Sequence, residues 1–419
     1  MRKLFLLFFL CHAAFAVDAT MEIIRRSGVL PVIDVSYIDS GAKTKPIITR
    51  VHKMLIGDLK VSGHFNVQEQ SETKQGIDYA DYKTKGVHLV AKIAVRLESS
   101  GIVTQLYLYD ITTEKEALNK RYSVSHENYY PLLAHKMAVD INQYIGAPSI
   151  DWMERFVLIS KNTAPSIAQI VLADYTLTFQ SVIINDNRLN IFPKWANKEQ
   201  TEFYYTKYLD KPTLFKYNIQ TKTNQQILNS QGMLAITDVS KDGKKILLTM
   251  APQAQSDIFL YDIPQKRLTQ LTKYAGIDVE AHFIDDEKRV MFVSDRLGYP
   301  NIFATGIDGA EVVEQLVYHG RNNNFATAFG EYIVYSSRDS DNEFAPNAFN
   351  LYLASTKSDY IRQLTIEGVN QNPQFSIDGE TVMYIKHTPA QSSLGIIRLN
   401  YNKSYLFALP KGKIQTIAW

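Results

Sequence analysis

Two stretches, Ser240-Lys241-Asp242-Gly243-Lys244-Lys245-Ile246-Leu247 and Ser376-Ile377-Asp378-Gly379-Glu380-Thr381-Val382-Met383, match position by position. Each sets Ser-x-Asp-Gly ahead of an apolar run. Asp-Gly signals a hairpin, because both central residues of the favoured two-residue turn need positive φ. The run after it reads as a strand. Working outward, an aromatic or apolar residue just before the first turn marks each unit: Trp195, Val239, Phe283, Phe325, Phe375 and Trp419. These lie 44, 44, 42, 50 and 44 residues apart. A period of about 40–45 residues built from short strands is the signature of propeller blades. The longest step is read as an insertion between Arg338 and Asn350.

The grammar within each unit is consistent. After the turn comes a second strand, as in Phe203-Tyr204-Tyr205, Ile246-Leu247-Leu248, Val290-Met291-Phe292, Ile333-Val334-Tyr335 and Val382-Met383-Tyr384. A polar loop and a third strand follow, and Leu-Thr closes two units at Leu271-Thr272 and Leu364-Thr365. Phe156 to Ser160 and Gln169 to Asp174 supply strands of a unit lacking its opening strand. Ile417-Ala418-Trp419 is an opening strand with no unit after it. Joining the two closes a ring of six blades and removes the free sheet edges.

Upstream the periodicity is different. Val29 to Val35 reads as a strand interrupted by Pro31. Pro46 opens a helix whose apolar face is Ile47, Ile48, Val51, Leu55, Ile56 and Leu59, with Gly63 as its left-handed stop. Val87, Leu89, Ala91, Ile93, Val95 and Leu97 alternate as a half-buried strand does, and Gly101 turns the chain into another. Pro131 opens a second helix that ends at Gly146. The fold class expected is therefore α/β plus all-β. A small N-terminal α/β domain of two helices on a mixed sheet, residues 28–148, precedes a six-bladed β-propeller, residues 149–419.

The first residues read as a secretory signal. Arg2 and Lys3 precede the apolar run Leu4 to Leu10, and Ala14-Phe15-Ala16 is a small-x-small cleavage site. The run is shorter than the roughly 20 residues a spanning helix needs. A lipoprotein signal would use Cys11, but Leu10 stands where that processing wants a small residue. Residues 1–16 are thus expected to be removed, leaving a mobile segment, residues 17–27, at the mature start. Cys11, the only cysteine, leaves with them, so the mature chain has no disulfide, thiol nucleophile or cysteine metal ligand. Removing Arg2 and Lys3 leaves 43 basic residues against 43 acidic ones. A nucleic-acid binder carries a basic excess, which this chain lacks.

Sequence signatures of catalysis are not found. Gly-x-Ser-x-Gly, Gly-x-Gly and Gly-Lys-Ser/Thr are missing, and no two histidines lie two to five residues apart. His135, His282 and His387 read as packed or surface histidines. Each Asp-Gly aspartate stands nearly alone, which suits a turn better than a calcium loop. The expectation is no catalytic residue, no metal and no cofactor. The competing reading is a propeller enzyme or a sugar- or peptidoglycan-binding sensor with its site in the channel. Glu280 and the cluster Asp285-Asp286-Glu287 are the residues that reading would test.

In their order these features resemble the TolB family of the Tol-Pal cell-envelope system. Gly57-Asp58-Leu59-Lys60-Val61-Ser62-Gly63-His64-Phe65 is similar to its helix-end motif. Ser294-Asp295-Arg296-Leu297-Gly298-Tyr299-Pro300 is similar to its blade loop. Phe407-Ala408-Leu409-Pro410 and Ala418-Trp419 are similar to its closing strands. The resemblance implies a periplasmic, monomeric adaptor that binds the lipoprotein Pal with the propeller mouth and TolA with the mature N-terminus, supporting outer-membrane integrity and constriction at division. Carried over residue by residue, the Pal positions are Met233, Ile236, Val279 and Glu280. Equivalent loops carry Asn322, Asn323, Asn324, Asn370, Gln371 and Asn372. Asparagine also favours positive φ, so these loops read equally well as turns. The TolA segment is Val17, Asp18, Ala19, Thr20, Met21, Glu22, Ile23 and Ile24. Intact mass spectrometry of the exported protein is expected to give a chain starting at Val17. A mass starting at Met1, or at a lipidated Cys11, would refute the cleavage.

Overall fold

The computed structural model describes residues 30–38, 41–308, 312–338 and 348–419. The expected signal, residues 1–16, and the expected TolA segment, residues 17–24, fall outside these residues, as does most of the insertion after Arg338. The chain divides into two compact units, Met1–Ile150 and Asp151–Trp419.

In the first unit five strands form one mixed sheet: β1 (Val32–Ile38), β2 (Asn66–Thr73), β3 (Leu89–Glu98), β4 (Gly101–Asp110) and β5 (Lys115–Val124). Their order is β2-β1-β3-β4-β5, with β1 parallel to both neighbours and the remaining pairs antiparallel. Helix α1 (Lys45–Ser62) carries Pro46 in its first turn, where a missing N–H costs nothing. It stops at Gly63, φ 79°, whose N–H bonds the Lys60 carbonyl. Helix α2 (Tyr79–Thr84) is a short one, and helix α3 (Tyr130–Tyr144) is long. α1 and α3 pack together and bury polar contacts between them. His135 Nδ1 lies 2.9 Å from Asp58 Oδ2, and both side chains are fully buried. His64 Nδ1 lies 2.5 Å from Asn142 Oδ1. His52 Nε2 lies 2.9 Å from the Val35 carbonyl oxygen in β1.

The expectation of two helices omits α2. Asp78 caps it, accepting the Asp81 N–H at 3.1 Å, but its six residues are too few to show helical periodicity. Tyr82 on α2 packs with Val87, Val90, Tyr109 and Ile111. This second cover explains why β3 is not half-buried: Leu89, Val90, Ala91, Lys92 and Ile93 are all buried in succession. The Lys92 ammonium donates to the carbonyls of Lys74 and Gly76 in the segment leading to α2.

In the second unit the innermost strands are Asn190–Trp195, Leu234–Val239, Asp278–Ile284, Arg321–Phe329, Val369–Phe375 and Lys413–Ala418; we number blades 1 to 6 in that order. Successive innermost strands pack side by side around a channel. Each blade is an antiparallel four-stranded sheet, and blades 4 and 5 are joined by one bridge, Phe349 with Val369. Blade 6 combines the two chain ends: Lys413–Ala418 pairs antiparallel with Val157–Ala164. The closure is packed as well as hydrogen-bonded, with the Trp419 ring set edge-on to Trp152, centroids 5.6 Å apart.

The repeated motifs have concrete bonding roles. In Ser240-Lys241-Asp242-Gly243 the Ser240 hydroxyl accepts the Lys245 N–H at 2.9 Å, and Asp242 Oδ1 accepts the Lys244 N–H at 3.0 Å. Ser376 and Asp378 do the same for Thr381 and Glu380. Only the glycines, φ 71° and 74°, are left-handed; Asp242 and Asp378 are not. The turn is therefore a longer, side-chain-bonded one, not the two-residue turn expected. Gly379 has a further reason to lack a side chain: a Cβ there would lie 2.2 Å from the Phe329 ring of blade 4. Leu-Thr extends the outer edge. The Leu271 and Leu364 N–H groups donate to Ile258 and Leu351, and the Thr272 and Thr365 hydroxyls accept from the same two residues.

One landmark is corrected. Trp195, Val239, Phe283 and Phe375 pair with Phe203, Ile246, Val290 and Val382, each the second residue of its blade's second strand, and in blade 4 that place is held by Ala328, opposite Ile333. Phe325 sits three residues earlier. The true spacing is 44, 44, 45, 47 and 44. Small Ala328 gave no aromatic signal, and Phe325, an aromatic on the same strand, took its place.

Deleting Thr416 to Trp419 removes half of the closing strand, the Trp152 contact and the bonds to blade 5. Thermal denaturation is expected to show a fall of ten degrees or more, on the order of 3 kcal/mol or greater. An unchanged midpoint would refute closure through these residues.

Candidate partner-binding site at the channel mouth

Every innermost strand carries a bulge, an extra residue that re-aims its side chain. Counting back three from each landmark gives Phe192, Ile236, Glu280, Phe325, Asn372 and Thr416. Phe192, Glu280, Phe325 and Asn372 have φ between 47° and 55°. One residue before each landmark stand Lys194, Asp238, His282, Thr327, Gln374 and Ala418. Both tiers line the channel.

Several of these side chains stitch one blade to the next. Asp238 Oδ2 accepts the Phe283 N–H at 2.9 Å, and Glu280 Oε2 accepts the Phe325 N–H at 3.0 Å. Asn372 Oδ1 accepts the Ile417 N–H at 2.9 Å. Gln374 accepts the Trp419 N–H at 2.9 Å and donates to the Ile417 carbonyl at 2.7 Å. The bulges free those backbone groups, and the neighbouring blade satisfies them.

Met233, Ile236, Val279 and Glu280 converge on one cavity of about 160 Å³, which Asn372 also lines. Met233 is exposed at its rim, Val279 half-buried, and Ile236 buried in its wall. Phe192, Pro193, Phe325 and Pro373 complete the apolar wall; Lys194, His282 and Gln374 lie deeper. A second cavity of about 240 Å³ shares those three residues and continues past Asp238 and Thr327. Burial pushes the Glu280 carboxyl up to about 7, against the pull of the Phe325 N–H and Lys194. Burial lowers Lys194, partly offset by Asp238 and Glu280. For Asp238 burial acts upward, but His282 at 3.6 Å, Lys194 and the Phe283 N–H outweigh it and hold the carboxyl below its usual range.

The asparagine loops divide. Asn323 and Asn370 are fully buried. The Asn323 amide donates to Asn301 Oδ1 and the His319 carbonyl, and the Asn370 amide to the carbonyls of Phe349 and Glu367. Asn190 holds the same place in blade 1, donating to Ala168 and Arg188. These three hold the entry to their strands. Asn322, Asn324 and Gln371 are only half-buried and lie on the same strands outside the cavity wall. Lys194, Asp238, Thr327 and Gln374 were not singled out from the sequence, and His282 was read there only as a packed or surface histidine. Their common place, one residue before the landmark, was the signal available.

Replacing Asn323 or Asn370 by alanine leaves buried carbonyls without a donor. Each is expected to cost about 1–3 kcal/mol in denaturant unfolding. Asn322→Ala and Gln371→Ala are expected to stay within about 0.5 kcal/mol. Equal effects in the two pairs would remove the distinction between supporting and surface residues.

Comparison with known proteins gives a consistent family. The TolB amino-terminal domain matches residues 25–117 and the TolB beta propeller domain residues 152–419. The chain is 61% identical to the Tol-Pal system protein TolB of Wolinella succinogenes over 421 residues, covering all of both chains. It is 47% identical to that of Helicobacter pylori strain 26695 over 423 residues, again in full. The crystal structure of TolB from Acinetobacter baumannii shares the fold, with a TM-score of 0.76 at 21% identity over 93% of this chain and 96% of that one. With two matching domains in order and relatives aligned end to end, this chain belongs to the TolB family of Tol-Pal system proteins.

Proposed function

We propose that this protein is a periplasmic, non-catalytic adaptor of the Tol-Pal system. It binds the lipoprotein Pal at the propeller mouth through Met233, Ile236, Val279 and Glu280. The half-buried Asn322, Asn324, Gln371 and Asn372 sit around that contact, and Asn323 and Asn370 hold the loops in place. It binds TolA through residues 17–24. Through both contacts it supports outer-membrane integrity and constriction at division.

The observation carrying the reading is the mouth itself. An exposed methionine and a half-buried valine border a pocket the size of one side chain, on strands locked by interblade bonds. Protein interfaces concentrate their binding energy in such desolvated pockets on rigid supports. The non-catalytic reading is supported by what the channel carboxylates do. Asp238 and Glu280 each hold a backbone N–H of the next blade, so each already serves the ring.

Calorimetric titration of purified Pal from the same source into residues 17–419 tests the site. Met233→Ala combined with Val279→Ala is expected to weaken binding about 10- to 100-fold, roughly 1.4–2.8 kcal/mol. Removal of residues 17–24 is expected to abolish TolA binding and leave Pal binding intact. Pal affinity unchanged in the double variant would place the contact elsewhere.

A further inference from the structure

The mouth cavity joins an apolar wall to a single carboxyl at its base. Glu280 Oε2 is held by the Phe325 N–H, while Oε1 takes no hydrogen bond among the described residues and borders the cavity. The backbone at Glu280 is held in place. Its φ of 55° lies in the bulge, and its own N–H donates to the Thr249 hydroxyl at 3.1 Å.

Few charges face it. Lys194 comes from blade 1, Asp238 from blade 2 and His282 from its own strand. Blade 4 offers Ala326 and the Phe325 N–H, blade 5 Asn372 and Gln374, and blade 6 Thr416. Asp238 is engaged by the Phe283 N–H and lies beside His282. The Lys194 ammonium forms no hydrogen bond or ion pair among the described residues; it acts on Glu280 only at a distance. Water in the cavity is therefore what solvates a charged Glu280. An apolar side chain entering the cavity expels that water, and a carboxylate stripped of water without a partner is strongly disfavoured.

We propose that the cavity admits one apolar side chain of the docked protein partner only while Glu280 carries a proton, so that docking takes up one proton and weakens as pH rises above neutrality. This rests on the reading of the mouth as the Pal site. The sign follows from linkage. Burial already places the free carboxyl at about 7, so below that pH the proton is present and affinity is flat. Above it a proton must be acquired on docking, and the apparent Kd rises toward tenfold per pH unit. Between pH 6 and 8.5 this amounts to about 30-fold.

The test is calorimetric titration of purified Pal into the mature protein from pH 6 to 8.5, in buffers of differing ionisation enthalpy. The native protein is expected to bind about 30-fold more weakly at pH 8.5 and to take up nearly one proton there. Glu280→Gln keeps the Phe325 bond without the charge, and whatever its affinity the pH slope and the proton uptake are expected to disappear. Lys194→Met removes the cation that favours the charged form, and the transition is expected to move to higher pH. Native affinity that stays flat with no proton uptake, a slope retained in Glu280→Gln, or a transition unmoved by Lys194→Met would each overturn the proposal. Failure of the folded native protein to bind Pal at any pH would instead overturn the reading of the mouth beneath it.

Discussion

The pairing of Lys413–Ala418 with Val157–Ala164 makes one sheet of the two ends of the propeller chain. A six-blade array left open would leave the edge of Val157–Ala164 unpaired and let successive blades splay. Closed, it fixes each innermost strand between two others, and the edge that would template aggregation is gone. The last tryptophan takes part twice: its ring meets Trp152, and its N–H is held by Gln374 of blade 5. The channel depends on this constraint, because side chains from different blades meet only if the ring has a fixed circumference.

Within that ring the bulges decide what the channel is made of. A regular strand would turn alternate residues to the axis and satisfy its own backbone. Here the backbone twists three residues before the landmark, and the N–H groups of Phe283, Phe325, Ile417 and Trp419 find acceptors on the preceding blade. The acceptors are Asp238, Glu280, Asn372 and Gln374, all of them channel-lining. Structure and candidate site thus draw on the same side chains. Rigidity at the mouth is a consequence of how the blades are joined, with no separate device needed.

Much of this was legible in the sequence and some was not, for identifiable reasons. The period, the blade number and the closing strand followed from turns and Leu-Thr endings, which recur because each makes the same bonds in the two blades that carry it. The landmark failed in blade 4, where Ala328 fills a place that is aromatic in blades 1, 3 and 5. Asp-Gly pointed to the right hairpin by the wrong turn, since the aspartate acts through its side chain and stays out of the left-handed region. Helix α2 was hidden by its length. Asn323 and Asn370 looked like loop residues because an asparagine that bonds carbonyls in the interior has the same letter as one that turns a chain at the surface.

Lys194 was the least legible residue. Its place in the inner tier corresponds to Asp238 in blade 2 and Gln374 in blade 5, both of which accept an N–H from the next blade. A lysine has no acceptor to offer, so blade 1 cannot make that bond to blade 2. The ring tolerates the loss because the blade 1 and blade 2 strands still pack through Leu214, Leu234, Ile236 and Ile246, which share one core with Tyr204 and Leu248. That apolar seam frees one inner-tier position from structural duty. The ammonium placed there makes no hydrogen bond or ion pair among the described residues, and its field falls on Asp238 and on Glu280, whose second oxygen is also unengaged. The two charges that the ring does not fully use meet at the same cavity, which is where a partner's side chain would read them.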